Sequence, residues 1–232
     1  MLNRWLTAAA TALALTGPAA GAVELTATEW AWIDAARPVL AFAKKQGMPL
    51  DIIVQPQPTP GESPLGMAFV DGRCKLVLSM RENPEAQATL DRVAPDLLGP
   101  VVEAITAHEL GHCWRHIKQS WGKLPDSVPA FQGFSRVTHE QAELLKDMWR
   151  TRNEEGFADL VGLAWTLRHH PTRYEEVHAW NVLVRADQPI ETGPHDTRAW
   201  VRLAANKSVF AASGSIFEQV EAVWLAGLLE GP

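Results

Sequence analysis

The chain is poor in several things, and each shortage closes off a class of protein. It has two cysteines in 232 residues, Cys74 and Cys113, so a single disulfide is the most it can form within itself. Tyr174 is its one tyrosine. Lys and Arg number 21 against 27 Asp and Glu, for a formal charge of -6, and no run of basic residues forms a stripe. A nucleic-acid partner is therefore not indicated. Beyond the first fifteen residues or so, no apolar run approaches the roughly 18 residues of a membrane span. Internal repeats and a domain linker are also missing. What remains is 47% apolar and 21% charged, an ordinary globular composition whose length suits one domain with a sizeable core.

The opening segment reads as a secretory signal. Arg4 supplies a positive start, Leu6 to Leu15 an apolar stretch, and Ala20-Gly21-Ala22 a small-x-small cleavage pattern. The expectation is a signal peptide over 1–22 and one domain over 23–232, exported to the periplasm or secreted. In an oxidising compartment Cys74 and Cys113 can pair.

Local signals predict an α+β chain. A helix is expected over 28–46, with Thr28 as N-cap and Gly47 as stop, followed by a short strand at 50–54. Two strand-like runs flank Asp71-Gly72, a pair that readily takes the positive φ values of a type I′ hairpin turn. Residues 81–96 read as a loop with one short helix. Pro100 suits a helix first turn, and the helical pattern continues to about Trp121. Further helices are predicted over 138–168, 172–184 and 215–229, with Asp196 or Thr197 capping another. The sum is a small N-terminal sheet packed on a mainly helical body.

The second of these long segments but one carries the chemistry. In His108-Glu109-Leu110-Gly111-His112 the two histidines are four residues apart, so on a helix both rings reach one ion from the same face. Glu109 can hold its carboxylate beside a metal-activated water and take its proton. Gly111 removes a side chain between the two ligands. Downstream, Asn153-Glu154-Glu155-Gly156-Phe157-Ala158-Asp159 offers a third ligand. Glu155 and Asp159 have the i, i+4 relation by which one carboxylate binds a metal and the other holds a ligand histidine by its second ring nitrogen. An acidic, solvated helix face is the bland alternative. The flanking Phe157 and Ala158, in an apolar helix, weigh against it.

The pair HELGH and EEGFAD resembles the gluzincin zinc metallopeptidases, and is most similar to the E-x-x-A-D pattern of minimal gluzincins and CAAX-protease-like peptidases. The resemblance spans the organisation of about residues 66–200, although only the short motifs match in detail. It implies a zincin-like fold and one zinc ion per chain. It further implies His108, His112 and Glu155 as ligands, Glu109 as general base and Asp159 behind a ligand histidine. Thermolysin-like members carry Asn directly before the ligand Glu, which points to Glu154 instead, but Asp159 then falls at +5, and the spacing favours Glu155. A metzincin is excluded because Arg115 and Lys118 stand where its pattern needs Gly and His. His116 reads as a surface or outer group.

Gly193-Pro194-His195-Asp196-Thr197-Arg198 resembles, in shortened form, the His/Arg segment that follows the ligands in CAAX-protease-like peptidases. His195 is thereby a candidate oxyanion donor, with Asp196 or Arg198 fixing the loop; a helix start capped by Asp196 is the alternative, and Tyr174 a weaker substitute donor. Cys113 points about 100° away from His112 around the helix, toward the strand holding Cys74. No partner spacing is evident for His139, His169, His170 or His178, and Trp149 and Trp165 read as core.

The function expected is an exported zinc peptidase acting on a peptide or protein substrate. The alternatives are a metal-binding, non-proteolytic module and a zinc amidase acting on cell-wall peptide. An intact Glu109 weighs against the inactive module.

Overall fold

A computed structural model describes residues 24–56, 63–128, 137–186 and 193–230. The expected signal segment lies outside these residues. The chain opens with helix α1, Ala27–Lys45. Its cap is Thr26, not Thr28: the Thr26 side chain accepts from Glu29 N–H and the Glu29 carboxylate accepts from Thr26 N–H. A capping box satisfies two orphan donors at once, which a lone hydroxyl at 28 does not. Trp32, Ala36, Val39 and Ala43 form the buried stripe of α1, at helical spacing.

Three strands follow, in spatial order β1-β3-β2. Strand β1 (Leu50–Pro56) runs parallel to β3 (Arg73–Arg81), and β2 (Leu65–Val70) pairs antiparallel with β3. The β2–β3 hairpin turns at Asp71 and Gly72, with φ of 52° and 73°, as the Asp-Gly signal requires. Alternate residues of the central strand, Cys74, Leu76, Leu78 and Met80, are buried against the helices. One cluster joins Leu76, Leu78 and Met80 to Trp32 and Ala36 of α1 and to Val102.

Helix α2, Pro84–Asp91, starts on the Asn83 cap. Helix α3, Leu98–Ile117, ends earlier than the expected Trp121, since Gln119 takes a left-handed φ of 53°. Helix α4, His139–His169, carries its own capping box at Thr138 and Gln141. A 3-10 turn at Pro171–Arg173 leads into α5, Tyr174–Ala186. Helix α6 is Arg198–Ala204, and α7, Glu221–Glu230, begins six residues after the expected Ser215. The result is a small sheet against a mostly helical body. Among the described residues no helix is long and apolar enough to cross a membrane.

Two features bring α3 and α4 together. A Cβ on Gly162 would lie 2.7 Å from the Ala104 carbonyl oxygen, and one on Gly111 would lie 3.0 Å from the Ala158 Cα. Side chains at these positions would wedge the helices apart. Meanwhile Cys74 and Cys113 form a disulfide, with Cα atoms 5.6 Å apart, which ties α3 to β3. Both cysteines are completely buried.

Candidate metal centre

The histidines of α3 and the acids of α4 meet where these helices are closest. His108, His112 and Glu155 bring one ligand atom each to within 4.8 Å of one another. The two Nε2 atoms are 3.1 Å apart. Glu155 Oε1 is 3.2 Å from His112 Nε2, and Oε2 is 3.5 Å from His108 Nε2. Ligand bonds of 2.0–2.1 Å in a tetrahedral site imply edges of about 3.3 Å, and the contacts of this donor set are of that order, so it could hold a metal ion.

Helical phase decides which acid takes part. Glu155 faces the histidines, while Glu154, 100° around α4, turns the other way. It accepts both Nε and Nη2 of Arg115 at 2.8 Å and the Gly122 N–H at 2.8 Å. Glu154 is thus fully engaged, one turn of α3 beyond His112, with the Arg115 guanidinium 4.5 Å from the Trp224 ring centroid. This buried pair locks the two helices in the register that aims Glu155 at the histidines.

Asp159 stands behind His108. Its Oδ1 lies 2.9 Å from His108 Nδ1, an arrangement that places the proton on Nδ1 and leaves the Nε2 lone pair for a cation. Asp159 also accepts from Arg185 Nε at 2.7 Å, Arg185 Nη2 at 2.5 Å and Thr197 Oγ1 at 2.5 Å. Arg185 Nη2 reaches Glu155 Oε2 at 3.4 Å as well. No motif marks Arg185, and Thr197 is expected from the sequence only as a helix cap. Arg185 comes from α5, 26 residues past Asp159, and only a buried carboxylate in need of a counter-charge could have hinted at it. Thr197 does occupy the N-cap position of α6, but its side chain makes no cap bond; the hydroxyl serves Asp159 instead.

Electrostatics favour a cation here. Burial pushes the Glu155 carboxyl up, but the charges and hydrogen bonds of His112, His108 and Arg185 outweigh it and hold it well below the usual carboxylate range. Asp159 is lowered in the same way, burial being overcome chiefly by Arg185 and His108. For His112, burial works against the charged ring, yet Glu155, with Glu109 and Glu154, raises its pKa on balance. A site that holds protons on its histidine through surrounding carboxylates is a site that attracts positive charge. Glu109 is different: burial raises its pKa, with His108 and His112 only partly opposing, and the residue is 7% exposed.

The remaining candidates separate clearly. His195 sits at the rim, its side chain 52% exposed and its Nε2 3.8 Å from Glu155 Oε1. Asp196 accepts from Arg198 Nε and Nη2. Tyr174 is no oxyanion donor, because its buried hydroxyl donates to the Ala204 carbonyl at 2.6 Å. His116 is stacked between Phe69 and Trp121, at centroid distances of 4.9 and 4.1 Å, and is kept from the cluster. Trp121, outside α3, meets the His112 ring edge at 5.4 Å. His170 and Trp165 both bond Glu103, His169 stacks on Trp165, and His178 Nε2 bonds the Val201 carbonyl, so these three histidines are accounted for structurally. No protein-family model, curated protein or solved structure matches the chain.

Proposed function

We propose that the protein is a single-zinc hydrolase of the zincin type that cleaves peptide bonds outside the cytoplasm, with Glu109 as general base. The observation that carries this reading is the convergence of His108, His112 and Glu155 with Asp159 behind His108 and a buried carboxylate one residue along the same helix. Two nitrogens and one carboxylate leave a tetrahedral ion one open position, which is the pattern of catalytic rather than structural zinc sites. When bound, zinc supplies a Lewis acid for a carbonyl and makes water acidic near neutral pH.

The protein's own groups divide the remaining work. Glu109, with its pKa raised by burial, takes a proton from the attacking water and returns it to the leaving nitrogen, a role that needs a pKa near the operating pH. Asp159 keeps the His108 ring in one tautomer and orientation. Arg185 and Thr197 hold Asp159, so that three elements of the fold fix one ligand. His195, exposed at the rim beside Glu155, donates to the oxygen that becomes negative. The disulfide between Cys74 and Cys113 suits an exported protein, where such bonds persist.

A non-catalytic metal module is the weaker reading, since burying Glu109 costs stability that such a module would have no use for. The test is metal analysis of the purified protein together with a peptide-library digest, using wild type and Glu109→Gln. About one zinc per chain, with cleavage that disappears in the variant, is expected. One zinc bound without any cleavage dependent on Glu109 refutes the peptidase reading.

A further inference from the structure

Helix α4 presents a third charged residue on the face that carries Glu155 and Asp159. Arg152 stands three residues before Glu155 and seven before Asp159, spacings that return to one side of a helix. Unlike the two acids, it has no counterpart. The residue is 7% exposed, and its Nε is enclosed without a hydrogen-bond partner. No ion pair closes on its guanidinium among the described residues. The group lies 5.9 Å from the Trp200 ring centroid, in space that Gly156 makes available, since a Cβ there would fall 2.4 Å from the Trp200 ring.

The opposite charge that acts on it is Asp196. It reaches Arg152 only through space, and burial still drives the Arg152 pKa below arginine's ordinary value. Asp196 accepts two guanidinium bonds from Arg198, at 2.8 and 2.9 Å. Asp196 is preceded by His195, whose ring lies 3.8 Å from Glu155. The 193–198 segment therefore links the two groups, with His195 beside Glu155 and Asp196 in the field of Arg152. A guanidinium nitrogen enclosed without a bonded partner is costly to keep. Such a cost persists where the group has a partner that comes and goes.

We propose that Arg152 is the anion-recognising group of this site and binds a carboxylate of the substrate beside the metal centre. The inference rests on the peptidase reading for the identity of the ligand, and it names a substrate class that reading leaves open. The planar fork of arginine matches a carboxylate with two parallel bonds. The Trp200 ring lies beside the fork, 5.9 Å from its carbon. The carboxylate comes from one of two sources, the free C-terminus of a peptide or an acidic side chain close to the cut bond.

Calorimetric binding of three short probes tests this: N-acetyl-alanyl-alanine, its C-terminal amide, and N-acetyl-glutamyl-alanine amide. Wild type and Arg152→Gln are compared, each zinc-loaded and chelator-stripped. Wild type is expected to bind one of the carboxylate probes about 10- to 100-fold more tightly than the neutral amide, the range that hydrogen bonds to a charged group support. Which carboxylate gains identifies the source. The preference disappears in Arg152→Gln and survives in the stripped protein, where no metal can take the carboxylate. Equal or undetectable binding of all three probes by wild type overturns the proposal, as does a preference that Arg152→Gln retains. Thermal melting of Arg152→Gln supplies the control, with an unchanged or higher Tm expected. A Tm lowered by several degrees makes Arg152 a structural group and also overturns it. If carboxylate binding behaves as expected while no peptide is cut, the peptidase reading fails and the anion site stands.

Discussion

Replacing Asp159 by Asn removes one charge from a buried group of four partners. Asp159 is 2% exposed, and the Arg185 side chain that bonds it twice is 11% exposed. Breaking a buried ion pair from one side costs about 3–5 kcal/mol, because the surviving charge is stranded. Here Arg185 keeps a long 3.4 Å contact to Glu155, and Asn retains one carbonyl acceptor, so the lower end, about 3 kcal/mol, applies. For a chain of this size each kcal/mol moves Tm by about 2–4 °C, giving a fall of about 6–12 °C. Separately, His108 loses the carboxylate that orients it, which weakens metal binding about 10- to 100-fold. The double variant Asp159→Asn/Arg185→Met separates the two effects. Removing both charges should restore most of the Tm, as hydrophobic replacement of buried pairs does, while metal affinity stays low. Melting in excess chelator reads the first effect, and competition against a chromophoric chelator reads the second. A Tm change under about 2 °C in the single variant refutes the buried-pair argument. Metal affinity that returns in the double variant refutes the orienting role of Asp159.

Other outcomes follow from particular contacts. Gly162→Ala places a Cβ 2.7 Å from the Ala104 carbonyl oxygen and should cost about 1–3 kcal/mol as overpacking while weakening metal binding; a variant as stable as wild type, with unchanged affinity, would show that the α3–α4 approach is not tight. Cys74→Ser/Cys113→Ser, which opens a loop with sequence separation 39, should lose about 4 kcal/mol by the chain-entropy model; denaturant unfolding under oxidising and reducing conditions checks it. Glu29 is wholly buried and paired with Arg81 at 2.8 Å, and chiefly the Arg81 hydrogen bond, against burial, lowers its pKa. Its folded pKa lies below the unfolded value of about 4.3, so its stabilisation is present above that pH and is lost as pH falls through the folded value. Glu29→Gln should therefore be less stable than wild type at pH 7, and the two stability curves should converge as the solution is acidified below about pH 4; parallel curves would remove this pair from the acid response.

How much of this was legible in advance depends on the range of the contact. The pairing of His108 with His112 is a property of one helix, and 3.6 residues per turn settles it wherever that helix sits. The Asp71-Gly72 turn and the long α4 are equally local. So is the Thr26 and Glu29 capping box, where the Thr-x-x-Glu pattern outweighed the simpler choice of Thr28. Cys113 facing away from His112 also follows from helical phase, and the disulfide to Cys74 agrees with it.

Other features depend on how elements meet. The parallel pairing of β1 with β3 joins strands separated by the hairpin's first strand, and no short-range signal specifies it. Two adjacent acids, Glu154 and Glu155, are equivalent in composition; only the rotation of α4 against α3, set by Gly111 and Gly162 and held by Arg115, turns one toward the histidines and the other away. Arg185 and Thr197 arrive at Asp159 from α5 and the start of α6, and Arg152 is distinguished only by the partners it lacks. Helical periodicity thus determined the pairing of the two histidines, with Glu109 beside them, from the sequence by itself. Tertiary packing decided which carboxylate joins them and what holds it, because a buried charge is defined by the groups that surround it, and those come from distant parts of the chain.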